Sequence, residues 1–275
     1  MSAPIDAFAA LRIPSLRAFA LGRVSAVLGG QMLNVAVGWG LYERTGDPWS
    51  LALVGLFELA PVLVLTIPAG TVSDRYPRRN VALASHAFFV LASLGLLAAS
   101  EYQVSTFWIY ALLMLIGASR AFGAPSIGSM LPEIVPATHL VNANAWVSSS
   151  WEIASITGPA LGGLLIAWTG STGAAFAGGA IGHLAAAAWM LTIPATAPET
   201  RAHGRGAKDL FAGFRFIWRT PELLTAMSLD LVAVLIGGAV ALLPVFAKDI
   251  LKIGPEGLGL APRSPPPPEP SAWRS

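Results

Sequence analysis

Gly70-Thr71-Val72-Ser73-Asp74-Arg75-Tyr76-Pro77-Arg78-Arg79 joins two long apolar runs, Leu51–Val72 and Val81–Ser100. Each run is long enough to cross a bilayer core about 30 Å thick, which takes about 20 helical residues. Gly, Ala and Leu fill both runs without strict alternation, which suits helices in lipid and not barrel strands of about 10 residues. Five runs of similar length lie to either side: Leu21–Tyr42, Thr106–Pro125 (reaching toward Leu131), Ala145–Trp168, Ala174–Pro194 and Leu223–Ala247. The expected fold class is therefore all-α, a polytopic membrane protein with a six-helix N-terminal bundle plus a seventh helix. The expected organisation is the bundle over 1–194, a linker over 195–222, the first helix of an incomplete second bundle over 223–260, and a tail over 261–275. Four consecutive prolines, Pro265–Pro268, exclude a helix in that tail.

Composition agrees. Of 275 residues, 55% are hydrophobic and 12% charged, against about 25% charged in a soluble domain. Disorder is excluded, because it needs low hydrophobicity and high charge. A net charge of +2 gives no support to a nucleic-acid partner. The absence of cysteine removes disulfides and thiol chemistry. His86 and His183 each stand alone in spans three and six, so no metal site is expected, and no motif calls for a cofactor.

Arginines fall in every second connection. Arg12 and Arg17 precede span one, with Arg23 just inside it, while Arg44 after span one is offset by Glu43 and Asp47. Arg75, Arg78 and Arg79 follow span two, and Glu101–Ser105 carries no basic residue. Arg120 stands toward the end of span four, and Arg201, Arg205, Lys208, Arg215 and Arg219 follow span six. The positive-inside asymmetry places the N-terminus and the 201–219 segment in the cytoplasm. Within that segment, Leu210–Trp218 has the composition of an interfacial amphipathic helix, and Ile5–Phe19 has a similar pattern.

In the opening stretch, Gly70 and Asp74 are four apart and share a helix face. A glycine there admits a close neighbour, and Asp74 can pair with Arg78 across the turn that Pro77 sets. G-x-x-x-D-R-x-P-R-R between two spans resembles the cytoplasmic signature of the major facilitator superfamily, with Pro77 in place of that signature's second glycine. The resemblance implies a conformational latch at Gly70, Asp74, Arg75, Arg78 and Arg79. Gly158-Pro159-Ala160-Leu161-Gly162-Gly163 in span five is similar to the same superfamily's antiporter motif, with Ala154 at its upstream glycine. Its spacing also makes a small-xxx-small packing face. Leu131-Pro132-Glu133-Ile134-Val135-Pro136, Leu140–Ala145 and Phe246–Leu260 resemble an exporter branch of enterobactin-exporter and macrolide-efflux type. Family members carry two six-span halves, so the resemblance implies that activity needs a further half or a second copy.

Ionisable residues inside spans are functional candidates by default. Glu58, Glu152 and Asp230 each lie eight residues into their spans, and are candidates for taking a coupling proton. Arg120 is the available partner for a carboxylate, although snorkelling to the headgroups is its preferred reading. Gln31 and Asn34 share a face of span one and can bond a substrate or a neighbouring helix. Trp39, Tyr42, Trp49, Tyr102, Trp108 and Trp168 suit an interfacial belt. Enzyme motifs are absent; Ala124-Pro125-Ser126-Ile127-Gly128 is a near miss for a nucleophile elbow, with Ser126 and His183 as the conceivable dyad. The function expected is proton-coupled export of small amphipathic molecules by alternating access in a bacterial-type inner membrane. The alternative is a non-transporting fragment or a membrane interaction protein.

Overall fold

Glycines, prolines and two side-chain caps mark several helix ends in the computed structural model, which describes residues 8–195 and scattered positions between 218 and 229. After a short turn at Ala10–Arg12, α1 runs over Pro14–Thr45 and stops at Gly46, whose φ of 62° only glycine adopts freely. Asp47 accepts a hydrogen bond from Trp49 N and opens α2, Pro48–Arg75. Tyr76 and Pro77 are extended and break the chain before α3, Arg78–Glu101. Ser105 caps α4, Thr106–Gly128. A single turn, α5, covers Leu131–Ile134. It leads to α6, Leu140–Thr169, which ends on Gly170 with φ 66°, and to α7, Gly173–Leu191.

Five segments are long and apolar enough to cross a membrane: Pro14–Thr45, Pro48–Arg75, Arg78–Glu101, Thr106–Ile134 and Gly173–Leu191. The 30-residue α6 is more polar, carrying Ser148–Ser150, Glu152 and Thr157, yet it packs lengthwise on α1 and completes a six-helix bundle. Among the described residues there is no strand, and the polytopic all-α class holds.

The main helix pairings form a row, α6–α1–α7–α3–α4–α2. Exchanging the first three spans (α1, α2, α3) with the second three (α4, α6, α7) returns the same row. The pairing α1–α6 becomes α4–α2, α1–α7 becomes α4–α3, and α3–α7 maps onto itself. Three is an odd number, so the second triplet runs through the membrane in the opposite sense, an inverted repeat.

Backbones approach closely at the crossings. A Cβ on Gly182 would stand 2.6 Å from the Ser25 carbonyl of α1, and one on Gly162 would stand 2.9 Å from Met32 Cα. In lipid, where apolar side chains gain little by leaving solvent, such packing is what holds helices together. Prolines interrupt α2 (Pro61, Pro68), α4 (Pro125) and α6 (Pro159), each withholding one backbone N–H from its helix. The outer surface shows Leu56, Leu59, Leu63 and Val64 on α2 and Ile181 and Leu184 on α7, an apolar coat suited to acyl chains.

Two apolar clusters lie at opposite ends of the bundle. One joins Leu33, Leu41, Phe89, Leu96, Leu113, Ile116 and Phe176. The other joins Leu16, Phe19, Met130, Leu131, Val147, Met190 and Ile193 at the end bearing Arg78. On α1, α3, α4 and α7, the stretches between the clusters carry Arg23 and Gln31, Ser85 and His86, Ser119 and Arg120, and His183.

Several expectations are corrected. Residues 14–19 belong to α1, not to a surface helix, because Pro14 starts the helix after extended Ile13. Tyr42 is buried and leaves the interfacial belt, whereas Trp49, Tyr102, Trp108 and Trp168 are exposed at helix ends. Asp230, the 196–217 linker with most of its amphipathic segment, the seventh helix beyond 229 and the 261–275 tail lie outside the described residues.

Candidate functional site

Polar side chains from five helices converge between the two apolar clusters. Arg120 of α4 forms an ion pair with Glu58 of α2. Its second terminal nitrogen donates to Asn34 Oδ1 of α1 at 3.2 Å, and Asn34 Nδ2 donates to Gln31 Oε1 at 3.2 Å. The four residues thus form one chain of bonds, Gln31–Asn34–Arg120–Glu58. The local sequence explains the meeting. Gly117 of α4 faces the Glu58 carbonyl with no room for a Cβ, so α2 and α4 touch where Arg120, one turn on, can reach Glu58.

This corrects the snorkelling reading of Arg120. That reading placed Arg120 toward the end of a span running over Thr106–Pro125 and reaching toward Leu131. The helix continues to Gly128 and then α5, so Arg120 lies about 12 Å from the α4 terminus at 1.5 Å per residue. The Glu58 carboxylate is adjacent and takes the guanidinium.

Beside this chain, His86 of α3 and His183 of α7 face each other with their Nδ1 atoms 3.0 Å apart. Phe89 stacks on His183 at a centroid distance of 3.5 Å and an interplanar angle of 7°. Both histidines are buried. Each stands alone in its own span, as sequence reading held, but the fold brings the two together. Each is the lone histidine of the third span in its triplet, and the third spans pair; that coincidence was the available signal. Ser85 and Ser119 lock α3 to α4 through reciprocal bonds, each hydroxyl donating to the other residue's carbonyl at 2.9 and 2.8 Å.

All of these groups except Glu58 border a cavity of about 440 Å³, whose walls also include Arg23 and Trp151. Sequence reading had treated Arg23 only as part of a basic terminus. Glu152 is exposed and borders an adjoining pocket together with Arg23. Ser126 is fully buried and bonded to Ser73 at 3.0 Å and to the Phe122 carbonyl at 3.0 Å. It does not meet His183, whose Nδ1 faces His86. Among the described residues no cluster suits a metal ion.

At the Arg78 end, the expected Asp74–Arg78 pair does not form. Arg78 Nη1 instead bonds Glu133 at 2.8 Å and the Ser129 carbonyl at 2.6 Å, tying α3 to the α4–α5 corner. The break at Tyr76–Pro77 turns Arg78 toward α4 and leaves Asp74 behind on α2. Arg79 donates to the Ile193 carbonyl at 2.8 Å, beyond the end of α7. Asp74 and Arg75 are exposed. A Cβ on Gly70 would meet nothing, so this glycine serves no close approach among the described residues. Gly158 and Gly162 do: Cβ atoms there would stand 2.6 Å from Gln31 Cβ and 2.9 Å from Met32 Cα, and both glycines are buried against α1. Pro159 and Gly163 continue that stretch of α6.

The sequence profile of a family described as transmembrane secretion effector matches residues 5–261. The chain belongs to this family. Curated proteins similar to this chain include the enterobactin exporter EntS of Shigella boydii serotype 18 and that of Escherichia coli O1:K1. Each is 28% identical over 209 residues, 76% of this chain and 50% of the relative. The chain therefore spans about half the length of the curated relatives it matches. Its fold is similar to a solved POT family transporter, crystallised with a thioalcohol-conjugated peptide. That match has a TM-score of 0.56 at 14% identity and covers 84% of this chain and 51% of the other. Family and helices together make this an integral membrane protein of major facilitator type.

Proposed function

We propose that this chain contributes one transmembrane bundle to a secondary exporter, which moves small amphipathic molecules out of a bacterial cell across the inner membrane. Transport proceeds by alternating access and draws on the proton gradient. The observation that carries this reading is the polar chain Gln31–Asn34–Arg120–Glu58, held between two apolar clusters and beside a cavity of about 440 Å³. Polar groups at membrane depth mark pathways for cargo or protons, and a cavity of this size suits a small molecule. The similarity to named exporters favours outward movement.

A second six-helix bundle, from further chain or a second copy, closes the opposite wall of the cavity and rocks against this one. The N-terminus and the Arg78 end face the cytoplasm, where the arginines of alternate connections belong. Asp74 and Arg75, exposed beside the tethered Arg78 and Arg79, latch onto that second bundle, with Gly70 on the same open face of α2. Glu152 and Glu58 carry the coupling proton, with Asp230 as the third candidate. Glu152 is open to the pathway, and Glu58 exchanges a proton when Arg120 shifts partner.

The experiment is dye export by inverted membrane vesicles holding the protein with both bundles, under an imposed pH gradient. Accumulation that collapses with the gradient, and a Glu152→Gln variant that transports without regard to pH, are expected. Absence of gradient-driven accumulation across a panel of amphipathic dyes overturns the reading. Unchanged pH dependence in the variant removes Glu152 from it.

A further inference from the structure

The charges around the cavity do not balance. Its wall carries two guanidinium groups, Arg23 and Arg120, and no carboxylate. Arg120 is matched by Glu58, which reaches it from α2. Arg23 is matched by nothing: its Nε is buried without a hydrogen-bond partner, and no ion pair to it forms among the described residues. Glu152 borders the neighbouring pocket with Arg23 yet makes no ion pair with it. The other polar groups on the wall, His86, His183, Gln31 and Asn34, are engaged with one another or with Arg120.

A guanidinium withdrawn from bulk water is costly unless an anion neutralises it. It also presents a flat fork of donors that fits a carboxylate or phosphate with two parallel bonds. We infer that the cavity takes an organic anion, its charged group on Arg23 and its apolar or aromatic body between Trp151 and Phe89. The two rings border the same cavity as Arg23 and supply the apolar surface such a body needs.

This inference rests on the exporter reading and names its cargo class. An anionic cargo also gains from an inside-negative membrane potential, which drives negative charge outward in the direction that reading requires.

The test is binding to the detergent-purified full chain, followed by fluorescence anisotropy. The probes are fluorescein, an anionic xanthene, and rhodamine 6G, a cationic one on the same ring frame. Saturable fluorescein binding stronger than rhodamine 6G binding is expected. Arg23→Gln should weaken it about tenfold and Arg23→Lys no more than about threefold, the loss expected of a charge-assisted contact. Circular dichroism and melting of both variants report whether the bundle is intact, and the lysine variant separates charge from shape. No saturable fluorescein binding, equal or stronger rhodamine binding, or a folded Arg23→Gln variant with unaltered affinity overturns the inference. Vesicle transport separates the two claims. Fluorescein bound while neither it nor any dye of the amphipathic panel is moved by the protein with both bundles supports the anion site and removes the exporter reading. Rhodamine 6G exported while fluorescein is ignored keeps the exporter reading and overturns the anion site.

Discussion

The Nδ1 atoms of His86 and His183 lie 3.0 Å apart across the contact between α3 and α7. A hydrogen bond at that separation requires one ring to offer N–H and the other a lone pair. Replacing either imidazole strands its partner in a buried setting. His86→Leu and His183→Leu are each expected to cost about 1–3 kcal/mol, read as a lower melting temperature in detergent. The double variant is expected to cost less than the sum, because no orphaned polar ring remains. Strictly additive losses would show that the rings are not coupled.

Glu58 and Arg120 should behave as a unit. Glu58→Gln leaves the guanidinium with Asn34 alone. The Arg120 side chain is 39% exposed and Glu58 17%, so the loss should fall below the roughly 3–5 kcal/mol of a fully buried pair, at about 1–3 kcal/mol. Exchanging the charges, Glu58→Arg with Arg120→Glu, should recover part of the melting temperature. No recovery would assign the loss to packing.

Glycines at the α1–α6 crossing can be compared with a glycine in open space. Gly162→Val forces a side chain onto the Met32 backbone, whereas Gly55→Ala meets nothing within 4 Å. The first should destabilise by about 1–3 kcal/mol through overpacking. The second should stay within about 1 kcal/mol and lean toward stabilisation, since alanine favours helix over glycine. Thermal unfolding of the two variants side by side decides the point.

Asp74 and Arg78 are expected to separate stability from transport. Asp74 is exposed and makes no bond in the bundle, so Asp74→Asn should leave the melting temperature within about 0.5 kcal/mol of the parent. In the protein with both bundles, the same change should impair export if Asp74 serves the latch. Arg78→Ala should lower stability on its own, since it releases both Glu133 and the Ser129 carbonyl. Wild-type export by Asp74→Asn would remove that residue from the latch.

What could be read in the sequence was what lipid imposes. Runs such as Leu51–Val72 and Val81–Ser100 must be helices, because the bilayer core gives a bare backbone no other partner. Gly158 and Gly162 were legible as a packing face because four-residue spacing fixes one side of a helix. The polar site was legible only as its separate members. Glu58, Gln31 and Asn34 stood out as costly residues within spans, but their meeting with Arg120 depends on how far α4 runs and which helix it touches. Hydropathy left that end open between Pro125 and Leu131, because it does not register whether a proline is tolerated inside a membrane helix. The histidine pair was hidden for a related reason: its members are 97 positions apart in sequence, a separation that carries no local signal. Arg78 was misassigned to Asp74, since sequence proximity concealed that Tyr76–Pro77 turns the two apart.

The placement of prolines divides the bundle mechanically. Inside their lengths, α1, α3 and α7 carry none beyond the first turn, and they stand side by side in the middle of the helix row. The flanking α2 and α6, and α4 near its end, each carry one or two. A load applied across the molecule is therefore absorbed as bending in the pliant flanks, while the inner trio, riveted by imidazoles and glycine contacts, swings as a stiff plank.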